Sequence, residues 1–118
     1  MNLLVFGLKN CDSCRKARKW LDENGIDHEF IDVRENTPPL ATLRQWQTAM
    51  GEKLLNRRGT TWRQLPETDK ARADKDLPAL LHDHPSLMKR PILVASGEVH
   101  AGFDTKTWTT LLKQVGSC

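Results

Sequence analysis

The chain has 118 residues, of which 38% are hydrophobic and 28% charged, with a formal net charge of +3. That is the size and make-up of one domain that can bury a core without disulfide staples. No window approaches the roughly twenty apolar residues of a membrane span, and so modest a charge argues against a nucleic-acid groove, which needs a denser basic stripe.

Leu3 to Phe6 is a short apolar run and predicts a buried strand. Asp12 to Asn24 predicts a helix closed by Gly25, where positive φ is tolerated. Cys14, Ala17 and Leu21 share one face of that helix. Residues 29–33 predict a second strand, so the chain opens as a right-handed parallel β-α-β unit. Thr37 is the candidate cap of the next helix, with proline at its first position; Leu40, Leu43, Trp46 or Gln47, and Met50 form its apolar side. From Gly51 to about Pro85 the pattern is short, charged and helical, interrupted by a polar loop from Asn56 to Thr61. Residues 36–88 are therefore expected to be a helical insertion within a single domain spanning 1–118. Pro91 to Ala95 predicts a third strand, Ser96-Gly97 a turn, and Glu98 to Ala101 a fourth strand pairing back on it. Asp104 is the candidate cap of a final helix, with Phe103 and Trp108 at hydrophobic-staple spacing and Leu111, Leu112 and Val115 completing its buried stripe. The expected fold class is α/β, β-α-β then β-β-α around the insertion.

The chemistry lies in Lys9-Asn10-Cys11-Asp12-Ser13-Cys14-Arg15, a Cys-x-x-Cys at a strand-to-helix turn. A thiol there meets the unpaired N–H groups and the positive dipole end of the helix, which favours the thiolate, the form that attacks disulfides. Lys9 and Arg15 add positive charge, with Asp12 opposing them. Cys11 is thus the candidate nucleophile. Cys14 is either a resolving thiol or a small apolar core residue on the Ala17–Leu21 face. The third cysteine, Cys118, is expected to be an incidental thiol at a frayed end. Three cysteines with no second pair, and His82 and His84 at the wrong spacing for a finger, leave no tetrahedral zinc set. The N-terminus lacks the basic segment and long apolar stretch of an export signal, so free thiols in a reducing cytoplasm are expected.

A Cys-x-x-Cys opening a βαβ unit is a thioredoxin-like signature. The run from Lys9 to Leu21 resembles the active-site segment of the arsenate reductase (ArsC) and Spx family. His84-Pro85 with Lys89-Arg90-Pro91-Ile92-Leu93 resembles its second block, and residues 54–63 resemble the YffB-like subgroup. The resemblance implies a thioredoxin-like, glutaredoxin-type fold with a cis-proline at Pro91. It implies Cys11 as nucleophile and Arg90 lining an anion pocket beside Pro91, with Lys9, Asn10 and Arg15 around the cysteine. A second pocket arginine comes from the insertion in the arsenate reductases; here Asn56 takes the ungapped position, with Arg57 and Arg58 adjacent. A third falls near the last strand, where this chain has Gly102-Phe103.

The resemblance thus implies a glutathione-dependent thiol-disulfide reductase, with Cys11 attacking a mixed disulfide. Glutathione serves as co-substrate and no cofactor is bound. The partners are glutathione and a glutathionylated or disulfide substrate, with glutaredoxin as a further candidate reductant; nucleic acid and membrane are not expected, and nothing demands more than a monomer. One alternative is a glutathione- and glutaredoxin-coupled arsenate reductase, against which the missing arginines count. The other is a Spx-like redox switch that binds the RNA polymerase alpha subunit.

Overall fold

The structure, a computed structural model, describes residues 3–95 and 97–116, with the backbone alone for 113–116. Ser96, Cys118 and the Val115 side chain lie outside the described residues. The chain divides into two compact units, Met1–Asp32 with Arg90–Cys118, and Val33–Lys89.

The first unit holds a four-stranded sheet. Its strands are β1 (Leu3–Gly7), β2 (Glu29–Asp32), β3 (Ile92–Ala95) and β4 (Glu98–Ala101), in the order β2-β1-β3-β4. β1 runs parallel to β2, with Gly7 opposite Asp32. It runs antiparallel to β3, which pairs antiparallel with β4. This is the expected thioredoxin-like arrangement, with α1 (Asp12–Glu23) as the crossover and α6 (Thr105–Gly116) last.

Leu3, Val5, Leu93 and Ala95 alternate onto one sheet face, and Ala17, Leu21 and Trp108 close over them as one buried cluster. Cys14, Ala17 and Leu21 are the buried residues of α1, the stripe that the helical spacing predicts. Gly25, at φ +65, ends the helix, and Ile26 N–H donates to the Leu21 carbonyl at 2.9 Å. Asp104 caps α6 by accepting from Lys106 N–H at 3.2 Å and from the Thr107 hydroxyl at 2.5 Å. Phe103 meets Trp108 edge to face at 5.0 Å between ring centres, the expected staple, and also meets Trp20 at 6.0 Å. Trp108 is fully buried, and its indole N–H donates to the Gly102 carbonyl at 3.0 Å, so burial leaves no orphaned donor.

The second unit is helical: α2 (Leu40–Met50), α3 (Thr60–Gln64), α4 (Glu67–Lys75) and α5 (Leu77–Asp83), with 3-10 turns at Gly51–Leu54 and Pro85–Leu87. Its buried side chains include Leu43, Trp46, Leu54, Leu77, Leu80, Leu81, Leu87 and Met88. Trp46, rather than Gln47, continues the buried side of α2, whereas Leu40 remains exposed. Three expectations shift here. Thr37 does not cap α2; its hydroxyl donates back to the Val33 carbonyl at 2.8 Å. Pro39 occupies the cap instead, in extended backbone. The prolines at 38 and 39 hold the residues before them out of the α region, so the helix starts later than the capping pattern suggests. The loop from Asn56 ends at Gly59, because Thr60 and Thr61 already belong to α3.

One close approach fixes how α1 sits on the sheet. Cys14 Sγ occupies the space that a side chain at Gly7 would fill, with the Phe30 ring edge 3.4 Å from the same point. Gly7→Ala should therefore overpack this contact and cost about 1–3 kcal/mol. Thermal unfolding of Gly7→Ala, Cys14→Ala and the double variant checks it, with Cys14→Ala expected to relieve most of the penalty.

Candidate active site

The turn between β1 and α1 carries the two cysteines. Cys11 N–H donates to the Leu8 carbonyl at 3.2 Å, closing the turn, and the Cys11 carbonyl accepts from Arg15 N–H at 3.0 Å, starting the helix. Cys11 therefore stands at the N-cap of α1 with extended backbone, at φ −98° and ψ 127°. Its side chain makes no capping hydrogen bond. No capping bond of ordinary geometry is closed, yet the Ser13 and Cys14 N–H groups of the first turn still act on the sulfur and favour its ionised form.

The two thiols have opposite characters. Cys11 is partly exposed, and Cys14 is 1% exposed. Partial burial works against ionising Cys11. It is outweighed by the Cys14 N–H, the Cys14 thiol, the Arg90 charge and the Ser13 N–H, which together hold the Cys11 pKa below its ordinary value. Cys14 is pushed up to about 12, first by burial and then by the neighbouring Cys11. One turn of helix thus separates a thiol that ionises more readily than usual from one that holds its proton.

Arg90 precedes Pro91, and the Arg90–Pro91 peptide bond is cis, as the family resemblance implies. Pro91 is buried, and its carbonyl accepts from Gly102 N–H at 2.8 Å, tying the approach to β3 to the turn before α6. Lys9 enters the turn through its backbone, whose N–H donates to Asp32 Oδ2 at 3.1 Å. Asn10 is exposed between Lys9 and Cys11. Arg15 is exposed and paired with Asp12. Arg18 lies over the Phe30 ring, its guanidinium carbon 4.3 Å from the ring centre.

Arg57 and Arg58 belong to the helical unit. Arg57 pairs with Glu52 at 3.3 Å and Asp74 at 4.0 Å, and lies 5.0 Å from the Trp62 ring centre. Asn56 Oδ1 accepts from Arg58 N–H at 3.1 Å, so Asn56 shapes its own loop. His82 and His84 sit in the last turn and at the C-cap of α5. Among the described residues, no group of three or more His, Cys, Asp or Glu could hold a metal ion.

Two residues of the site escape a reading by motif. Gly7 is legible as the small residue that ends a strand before a turn. Asp32 is legible as a charge that follows the apolar pair Phe30-Ile31 at the end of a strand, and it is the buried charged side chain among the described residues.

The family model for the ArsC family matches residues 6–111. An uncharacterised protein of Haemophilus influenzae is 40% identical over 108 residues, covering 90% of this chain and 95% of its own. Among solved structures, the YFFB protein superposes with a TM-score of 0.85 at 35% identity, over 92% of this chain and 97% of its own. An arsenate reductase (ArsC) related protein from Brucella melitensis gives a TM-score of 0.74 at 36% identity, over 96% of both chains. The YFFB likeness agrees with the subgroup that residues 54–63 resemble. With most of its length matched and the βαβ thiol turn in place, this chain belongs to the ArsC family.

Proposed function

We propose that the protein is a thiol-disulfide oxidoreductase that reduces glutathione mixed disulfides through Cys11. The observation that carries this reading is the asymmetry of the two sulfurs. Cys11 is ionised more readily than a free thiol and is open to a substrate, while Cys14 is buried and holds its proton.

In the first step the Cys11 thiolate attacks the glutathionyl sulfur of a mixed disulfide. A Cys11–glutathione disulfide forms, the substrate S–S bond breaks, and the substrate thiolate leaves to take a proton from solvent. In the second step a glutathione thiolate attacks the same glutathionyl sulfur. Oxidised glutathione leaves and the Cys11 thiolate is restored. Two glutathione-derived electrons have then reduced one disulfide. The Arg90 guanidinium lowers the Cys11 pKa and is suited to a glutathione carboxylate, whose geometry a guanidinium matches. Burial, the first cause of the raised Cys14 pKa, persists when Cys11 is tied up in the mixed disulfide and disfavours a Cys14 thiolate there, which favours free glutathione in the second step.

The arsenate reading receives less support. It calls for several guanidinium groups around a multiply charged oxyanion. Phe103 stands where the resemblance implies one of them, and it is packed against Trp20 and Trp108.

Three outcomes test the proposal. Cys11→Ser should abolish reduction of a glutathione mixed disulfide in a coupled assay, and Cys14→Ser should retain much of it when glutathione is supplied. Arsenate turnover in the same assay should be weak or absent; robust turnover would reverse the ranking.

The pH dependence follows from the direction of the Cys11 shift. A lowered pKa means more thiolate at neutral pH, so the rate should reach its plateau at lower pH than for an unperturbed cysteine. Cys14→Ala removes a thiol that favours the Cys11 thiolate and should move the midpoint up. Thiolate absorbance titrations of both proteins read this directly.

Arg90→Ala should weaken capture of the glutathionyl substrate by roughly 1.5–3 kcal/mol, the usual worth of a hydrogen bond to a charged group. It should also raise the Cys11 midpoint. A folded variant with unchanged kcat/KM and midpoint would remove Arg90 from the site.

A further inference from the structure

We infer that Asp32 is a positioning residue for Cys11, acting through the backbone N–H of Lys9. The inference rests on the reading of Cys11 as the reacting thiol and extends it to the residue that aims that thiol.

Asp32 ends β2 in register with Gly7, the last residue of β1. In a parallel pair, registered residues place their side chains on the same face. That face, at Gly7, is where Cys14 Sγ rests against the sheet. The Asp32 side chain therefore projects from the neighbouring strand on the side where α1 docks. It is only 7% exposed, and a carboxylate is taken out of water only when a partner offsets the loss. A partner is the Lys9 N–H, at 3.1 Å and 23 residues away in sequence.

Lys9 lies two residues before Cys11, in the turn closed by the Cys11 N–H to Leu8 carbonyl bond. The Lys9 N–H is held by a side chain of β2, so the loop draws support from another strand. Two anchors therefore bracket Cys11. Asp32 holds the chain on its N-terminal side, and Cys14 packed on Gly7 holds it on the other. The Cys11 sulfur gains from the Ser13 and Cys14 N–H groups only while it stays at the helix mouth. Small displacements matter, because hydrogen bonds weaken steeply with misalignment.

A purely electrostatic role predicts the opposite sign. Removing a nearby negative charge would by itself favour the Cys11 thiolate and lower its midpoint. The two accounts can thus be separated by comparing Asp32→Asn, which keeps an acceptor oxygen without the charge, with Asp32→Ala, which keeps neither. The measurements are thiolate absorbance and the rate of Cys11 alkylation by iodoacetamide, located by peptide mass spectrometry, followed by turnover of a glutathione mixed disulfide. Asp32→Ala is expected to raise the Cys11 midpoint and to lower kcat/KM about tenfold, the scale of losing one charge-assisted hydrogen bond. Asp32→Asn is expected to restore both to near wild type. A midpoint that is unchanged or falls in both variants overturns the inference. Should Asp32→Ala fail to fold, amide exchange in the wild-type chain decides. The Lys9 N–H must be protected and must remain so in Asp32→Asn; rapid exchange in the folded protein overturns the inference. The alkylation readout does not require catalysis. Persistent turnover in Cys11→Ser would overturn the proposed function and leave the link between Asp32 and the Cys11 midpoint to stand or fall on its own.

Discussion

The close approach of Cys14 to the backbone at Gly7 sets the conditions for everything else at this site. A sulfur atom takes the place of a missing side chain on β1. Because α1 seats on the sheet through that contact, its first turn cannot slide or rotate without opening a void or a clash, and protein interiors tolerate neither well. Cys14 is thereby committed to the core. Cys11, three residues earlier, is committed to the rim, since residues at that spacing stand about one turn apart along the helix. The difference in acidity between the two thiols is a consequence of this seating more than of any special local charge.

The remaining parts of the first unit serve the same mouth from other directions. The cis Arg90–Pro91 bond delivers Arg90 at the entry to β3, and the Pro91 carbonyl takes the Gly102 N–H, so β3 and the turn into α6 are fastened together. That turn is held in place by Trp108, which reaches back to the Gly102 carbonyl and packs on Phe103 and Trp20. Trp20 belongs to α1 itself. One aromatic cluster therefore links the helix that carries Cys11 to the turn that is tied to Pro91. Rigid support of this kind is what lets a single cation and a few N–H groups act on a sulfur without reorganising during reaction.

Much of this was legible in the chain. The stripe Cys14, Ala17 and Leu21 follows from helical spacing, the parallel pairing of the first two strands follows from the crossover helix, and the Phe103–Trp108 staple follows from its position across a cap. Local rules suffice where one element decides its own pattern. They fail where two elements share a decision. Thr37 has the chemistry of a cap, yet two prolines in succession move the helix start and turn its hydroxyl back to Val33. Gly7 and Asp32 carry no motif at all. Their roles arise from strand register, which joins residues 25 apart in the chain and can be seen only once the sheet is assembled. Arg57 shows the reverse failure: it stands next to the position that the resemblance marks, yet in its own unit it is engaged with Glu52, Asp74 and Trp62.

The aromatic cluster also bears on how such a chain can change over evolutionary time. Phe103 contributes edge-to-face contacts to two tryptophans, each worth about 0.5–1.5 kcal/mol beyond simple burial. Exchange for a cationic side chain would forfeit both contacts and bring a charge against a packed core. For a domain whose total stability is on the order of 5–15 kcal/mol, that is a large fraction to give up in one step. A third anion-binding arginine is therefore not one neutral mutation away. Lineages that carry a cation at this position should also differ at Trp20 and Trp108, so that the three positions vary together across relatives.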